Sequence, residues 1–169
     1  MADVVIEHTY NCSEDTFWDK IFFDEEYNQR MFKEALEFPH YEVTKSEDGD
    51  KEVRRTVNVV PKLGPMPGPV KKLIGDGLGY EEEGVYDKAT RKYSIKITPN
   101  KLADKINITG KMYTKPEGDG KLKRVFECSV NAKIFGIGGL LEKQIIGDMQ
   151  TSYAKAAEFT NKFVAEKGL

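Results

Sequence analysis

The sequence holds little of what most catalytic centres and disulfide-built folds require. Two cysteines, Cys12 and Cys128, are too few for a disulfide framework and lack metal-ligand spacing, so both are expected as free thiols. The two histidines, His8 and His40, belong to no ligand-spaced cluster, which leaves a zinc centre or a Ser-His-Asp triad without material. No apolar run approaches the roughly 18 residues a membrane span needs. No basic segment followed by an apolar stretch marks a signal peptide, so the expected location is cytoplasmic. A dominant charge is missing too: 26 Lys and Arg stand against 28 Asp and Glu without a long run of either sign, and nothing in that field calls for nucleic acid. Neither a phosphate loop nor a nucleophile elbow is present, and no metal or other cofactor is expected.

What is present is pattern. The chain of 169 residues suits one domain, with room for a core and an internal pocket. Residues 3–10 alternate as a first strand. Ser13 and Asp24 can each cap a short helix, the first carrying Phe17, Trp18 and Ile21, the second Tyr27, Met31, Phe32 and Leu36. The period then changes to two, and turn chemistry separates six further strands near 39–47, 51–60, 79–87, 91–98, 105–115 and 121–134. Short connections imply antiparallel neighbours. Residues 137–167 place apolar side chains at three- and four-residue steps, one amphipathic helix on the order of 45 Å long. The fold class is α+β.

The run Arg124-Val-Phe-Glu-Cys-Ser-Val-Asn-Ala-Lys-Ile-Phe-Gly-Ile-Gly-Gly-Leu-Leu-Glu-Lys143, followed by Ala157-Glu158-Phe159-Thr160, together with this order of elements, resembles the START-like helix-grip superfamily (SRPBCC, Bet v 1-like), and within it the DUF2505 branch. The resemblance covers the whole chain. It implies a seven-stranded curved antiparallel sheet, two short helices after the first strand, and a long C-terminal helix over the sheet with a cavity for an apolar molecule between.

Strand alternation and helix spacing supply candidate lining residues. The strands offer Tyr93, Ile95, Ile108, Met112, Phe126, Cys128 and Val130; the last helix offers Leu141, Ile145, Met149, Ser152, Tyr153 and Ala156. The small groups Gly110, Cys128, Ala132, Ser152 and Ala156 are expected to leave space between sheet and helix. The same residues could equally pack as an ordinary core.

Three connections should emerge at one end of the sheet, because each hairpin reverses direction. They carry Leu63, Met66, Lys71, Lys72, Leu73 and Ile74, then Leu102, then Phe135 and Ile137. Apolar tips among lysines suit a cavity mouth that touches a membrane transiently; a self-packed lid is the plainer reading. Polar candidates for catalysis are Arg54, Arg55, Tyr80, Glu82, Tyr86 and His8, and the alternation of the third strand leaves open which arginine points inward. The run Tyr80-Glu81-Glu82-Glu83 reads as a solvated strand. The expected function is binding or transfer of a lipid-like or other hydrophobic small molecule by a monomer, without catalysis. The alternatives are a cyclase- or isomerase-like enzyme and a co-chaperone-like interaction module on the same fold.

Overall fold

Alternation of period two builds the sheet. In β3 (Glu52–Val60) Val53, Arg55, Val57 and Val59 are buried, and in β5 (Lys92–Pro99) Tyr93, Ile95, Ile97 and Pro99 are, while Lys92, Ser94, Lys96 and Thr98 face solvent. One apolar and one polar face are what an antiparallel sheet needs when a single side is covered. The computed structural model, which describes all 169 residues, joins these strands to β1 (Ala2–Tyr10), β2 (His40–Asp48), β4 (Tyr80–Asp87), β6 (Ile106–Gly118) and β7 (Lys121–Ala132). The seven strands form one sheet in the order β1-β7-β6-β5-β4-β3-β2, antiparallel at every step.

That order puts β1 and β2 at opposite edges, so the chain between them must cross the concave side. It does so in two short helices. Ser13 Oγ accepts the Thr16 N–H at 3.1 Å to open α1 (Glu14–Thr16), and Asp24 Oδ2 accepts the Tyr27 N–H at 2.9 Å to open α2 (Glu25–Arg30). Both helices run on into π-helical turns, Phe17–Ile21 and Met31–Ala35, which simple helical spacing does not anticipate. The first turn buries Phe17, Trp18 and Ile21; Trp18 stacks on Tyr86 at 4.7 Å and donates from Nε1 to Thr114 Oγ1 at 3.0 Å.

The proline-rich β3–β4 connection is more ordered than its composition suggests, because it contains α3 (Gly68–Ile74), which starts just after Pro67 and buries Val70 and Ile74. The long helix α4 (Gly138–Lys167) lies over β1 and β7. Two clasps hold the connection down. Asp148 of α4 accepts the Gly64 N–H at 3.1 Å, and Lys101 Nζ, from the β5–β6 turn, donates to the Ile74 carbonyl at 3.0 Å.

The first turn of α4 is held hard against the end of β7: a Cβ on Gly138 would overlap the Ala132 carbonyl, and Glu142 Oε1 accepts the Ala132 N–H at 2.9 Å. The helix stops at Gly168, whose φ of 66° is the left-handed conformation glycine adopts without penalty. Tyr27 and Thr160 share a buried hydroxyl–hydroxyl bond of 2.7 Å that ties α2 to α4. No helix is long and apolar enough to cross a membrane.

Candidate functional site

Between sheet and α4 lies a cavity of about 180 Å³, and 22 of its 32 lining residues are hydrophobic. Its floor comes from β4 to β7 and its roof from α4. The crossing helices supply Phe17, Phe22, Tyr27 and Met31, and the β3–β4 connection closes it with Leu63, Ile74 and Leu78. Space exists because the large side chains of the floor fold sideways onto glycines. A Cβ on Gly84 would overlap the hydroxyl end of Tyr93, and one on Gly110 would come within 2.7 Å of the Phe126 ring. Phe126, laid over Gly110, then stacks on Tyr153 of α4 at 4.6 Å.

Polar groups break the apolar wall in two places. On β3, Arg55 is 8% exposed, its guanidinium 5.2 Å from the Phe22 ring, 5.3 Å from Phe23 and 5.6 Å from Tyr93. Beside it the Tyr93 hydroxyl makes a long hydrogen bond, 3.5 Å, to Glu82 Oε1. Burial lifts the Glu82 carboxyl above its ordinary range; the Arg55 charge and the Tyr93 hydroxyl pull it the other way without cancelling that effect. Burial likewise holds Tyr93 and Tyr80 in the neutral phenol form. Glu82 is half-buried and lines the cavity.

The second place is Arg124 of β7, 4% exposed, set between the Tyr153 ring at 4.4 Å and the Tyr10 ring at 5.0 Å. Both of its hydrogen bonds use Nη2, which donates to His8 Nδ1 at 3.3 Å and to the Tyr153 carbonyl at 3.4 Å. Burial, and then the Arg124 charge, lower the His8 pKa and keep the imidazole neutral, as an acceptor at Nδ1 requires.

Of the residues singled out from sequence as lining, Tyr93, Ile95, Ile108, Met112 and Phe126 of the sheet reach the cavity, as do Leu141, Ile145, Met149, Ser152, Tyr153 and Ala156 of α4. Cys128 and Val130 do not. At that end of β7 the helix sits directly on β1 and β7, so Cys128 Sγ packs 3.8 Å from Met149 Sδ and Val130 is fully enclosed. The expectation about small residues is corrected in the same way: Gly110 makes room only indirectly, as the seat of Phe126, Ala132 is taken up by the start of α4, and of the five only Ser152 and Ala156 line the cavity. Burial pushes both thiols, Cys12 and Cys128, up to about 11. Neither is therefore expected to react with Ellman's reagent in the native protein near neutral pH, whereas both titrate after unfolding in guanidinium.

At the mouth, Leu63 and Ile74 line the cavity, Met66, Leu73 and Leu102 pack against the core, and Ile137 is half-buried at the start of α4. Lys71, Lys72 and Phe135 are exposed. The apolar loop residues thus form a lid, with Phe135 standing apart from it. The arginine ambiguity on β3 resolves to Arg55 inward and Arg54 outward, where its Nε meets Glu52 at 2.8 Å. The reading of residues 80–83 as a solvated strand is half wrong, since Tyr80 and Glu82 line the cavity while Glu81 and Glu83 are exposed. The signal was available: Glu82 shares its face with Tyr80 and Tyr86, and Arg55 shares its face with Val53, Val57 and Val59.

Solved structures share this architecture. TTHA0849 from Thermus thermophilus superposes with a TM-score of 0.68 at 17% identity, over 99% of this chain and 100% of that one. The Zhui aromatase/cyclase from Streptomyces sp. R1128 does so at 0.64 and 11%, over 96% and 95%. A START superfamily protein from Mycobacterium smegmatis gives 0.61 and 13%, over 96% and 98%. At these identities the likeness establishes the helix-grip fold alone. No curated protein matches the chain by sequence. The family model described as protein of unknown function (DUF2505) matches residues 6–164, and the chain belongs to that family.

Proposed function

We propose that the protein binds a largely apolar, lipid-like small molecule in the cavity beneath α4 and holds or transfers it without altering it chemically. The observation that supports this reading is the cavity itself, about 180 Å³ with a mostly hydrophobic wall. An engineered cavity of roughly 150 Å³ is dry and takes up benzene, so a ligand of at least one ring fits this one as it stands. Each 100 Å² of apolar ligand surface buried contributes about 2.5 kcal/mol. Longer ligands require the lid over Leu63 and Ile74 to lift. For delivery from a bilayer, the surface suited to contact is Phe135 with Lys71 and Lys72, the exposed mouth residues.

Ala156→Trp tests the cavity, because Ala156 lines it and an indole there occupies the space a ligand would use. The parent is expected to enhance the fluorescence of 8-anilinonaphthalene-1-sulfonate, and the variant to keep its far-ultraviolet circular dichroism and lose that enhancement. Unchanged dye binding by a folded variant would move the ligand site elsewhere.

One observation favours a second reading, an acid–base enzyme on the same frame. Glu82, with its carboxyl lifted by burial and with Tyr93 and Arg55 beside it, stands where a general acid could reach a cavity-bound substrate. Under that reading Glu82→Gln retains binding and loses turnover.

A further inference from the structure

The charges built into the cavity wall do not balance. Arg55 makes no salt bridge and its buried Nε is also unpartnered, but it has the Glu82 carboxyl and the Tyr93 hydroxyl as neighbours and borders an outer, mostly polar cleft between α2 and β2. At the lid, Lys62 pairs with Glu37 at 2.7 Å, and Asp148 accepts the Gly64 N–H and a Gln144 side-chain N–H. Arg124 has no such relief. It is 4% exposed, no carboxylate lies within salt-bridge distance, its acceptors are a neutral imidazole and one carbonyl, and its buried Nε has no partner. A cation withdrawn from water and met only by neutral groups and ring faces is unfavourable unless an anion joins it. Arg124 lines the cavity, and an anion can arrive from there.

On the basis that the cavity is a ligand site, we propose that its ligand is an amphipathic monoanion: a carboxylate seated on the Arg124 guanidinium, with the apolar remainder along Phe126, Met149 and Met112. The Tyr10 and Tyr153 rings lie 5.0 and 4.4 Å from the guanidinium carbon, and a planar acceptor meets a guanidinium at its edge. The Phe126–Tyr153 stack continues from that edge as an apolar surface.

Isothermal titration calorimetry with octanoate and 1-octanol, equal in chain length and different in charge, tests this. Octanoate is expected to bind the parent protein about ten- to a hundredfold more tightly than 1-octanol, the range for a charge-assisted contact out of water. In folded Arg124→Gln the preference is lost and the two probes bind alike. His8→Glu provides a second route that leaves the arginine in place: at this partly exposed position, 3.3 Å from Nη2, it supplies an internal carboxylate that competes for Arg124 and also abolishes the preference. Equal affinities for the two probes in the parent overturn the anion site and leave apolar binding standing. A preference that survives in His8→Glu and in folded Arg124→Gln overturns Arg124 as its seat. Failure of both probes to bind overturns the binding function, and this inference with it.

Discussion

Replacing Gly84 by valine is expected to destabilise the protein by about 3 kcal/mol, the upper part of the range for forced overpacking, which lowers the melting temperature of a chain this size by about 6–12 °C. Any Cβ at residue 84 overlaps the hydroxyl end of Tyr93. The ring cannot simply step aside, because Phe22 packs edge-on to it at 4.9 Å and the Arg55 guanidinium lies 5.6 Å from its centre. Displacing the phenol also separates it from Glu82, so the polar corner of the cavity comes apart with the packing. Gly147→Ala is the matched control: it lies within α4 with nothing within 4 Å of an added Cβ, and it is expected to stabilise by about 1 kcal/mol through helix propensity. Differential scanning calorimetry of the two variants separates a steric site from general sensitivity to glycine replacement. A Gly84→Val protein melting with the parent would mean that Tyr93 has a second resting place, and that the cavity is less fixed than its packing indicates.

The frame of this fold was legible because it rests on strong local signals. Alternation in β5 and β7, the caps Ser13 and Asp24, and the apolar stripe of α4 each follow from a single strong local preference, and the structure bears out all three. The cavity was less legible because its shape depends on how side chains lean, which periodicity does not encode. Gly110 reads as a gap in sequence and is in fact the seat of Phe126; Cys128 reads as a small floor residue and is roofed by Met149. The end wall from Phe17, Phe22 and Met31 depends on two π turns, whose extra residue per turn has no signature in apolar spacing. Glu82 and Arg55 were obscured differently. A charged residue on a strand is normally solvated, and it takes the parity of neighbours such as Tyr80 and Val57 to outweigh that prior. Arg124 sat within the motif that carried the family resemblance, yet its role in the wall follows only from the three-dimensional absence of a carboxylate partner.

Glu82→Gln is expected to change how stability responds to pH. The unfolded carboxyl titrates near about 4.3, and burial raises the folded one above its ordinary value. Between these two values the folded protein holds more protons than the unfolded chain, so the stability Glu82 contributes falls as pH rises through that window and levels off above the folded pKa. Glutamine approximates the protonated acid and has nothing to lose. Any effect of leaving Arg55 with only neutral neighbours therefore enters as a nearly constant offset, and the stability difference between variant and parent moves in favour of the variant as pH increases. Urea denaturation across about pH 4 to pH 8 measures that difference. A flat curve would indicate that Arg55 and Tyr93 fully compensate the burial, and a curve of opposite slope that the carboxylate is the favoured form in the cavity. The same variant separates the two functional readings, because a carboxyl whose pKa burial raises is useful to an acid–base enzyme and dispensable to a carrier. Retained ligand affinity with abolished turnover would place the chemistry on Glu82, while retained affinity in a protein with no turnover to lose fits a carrier.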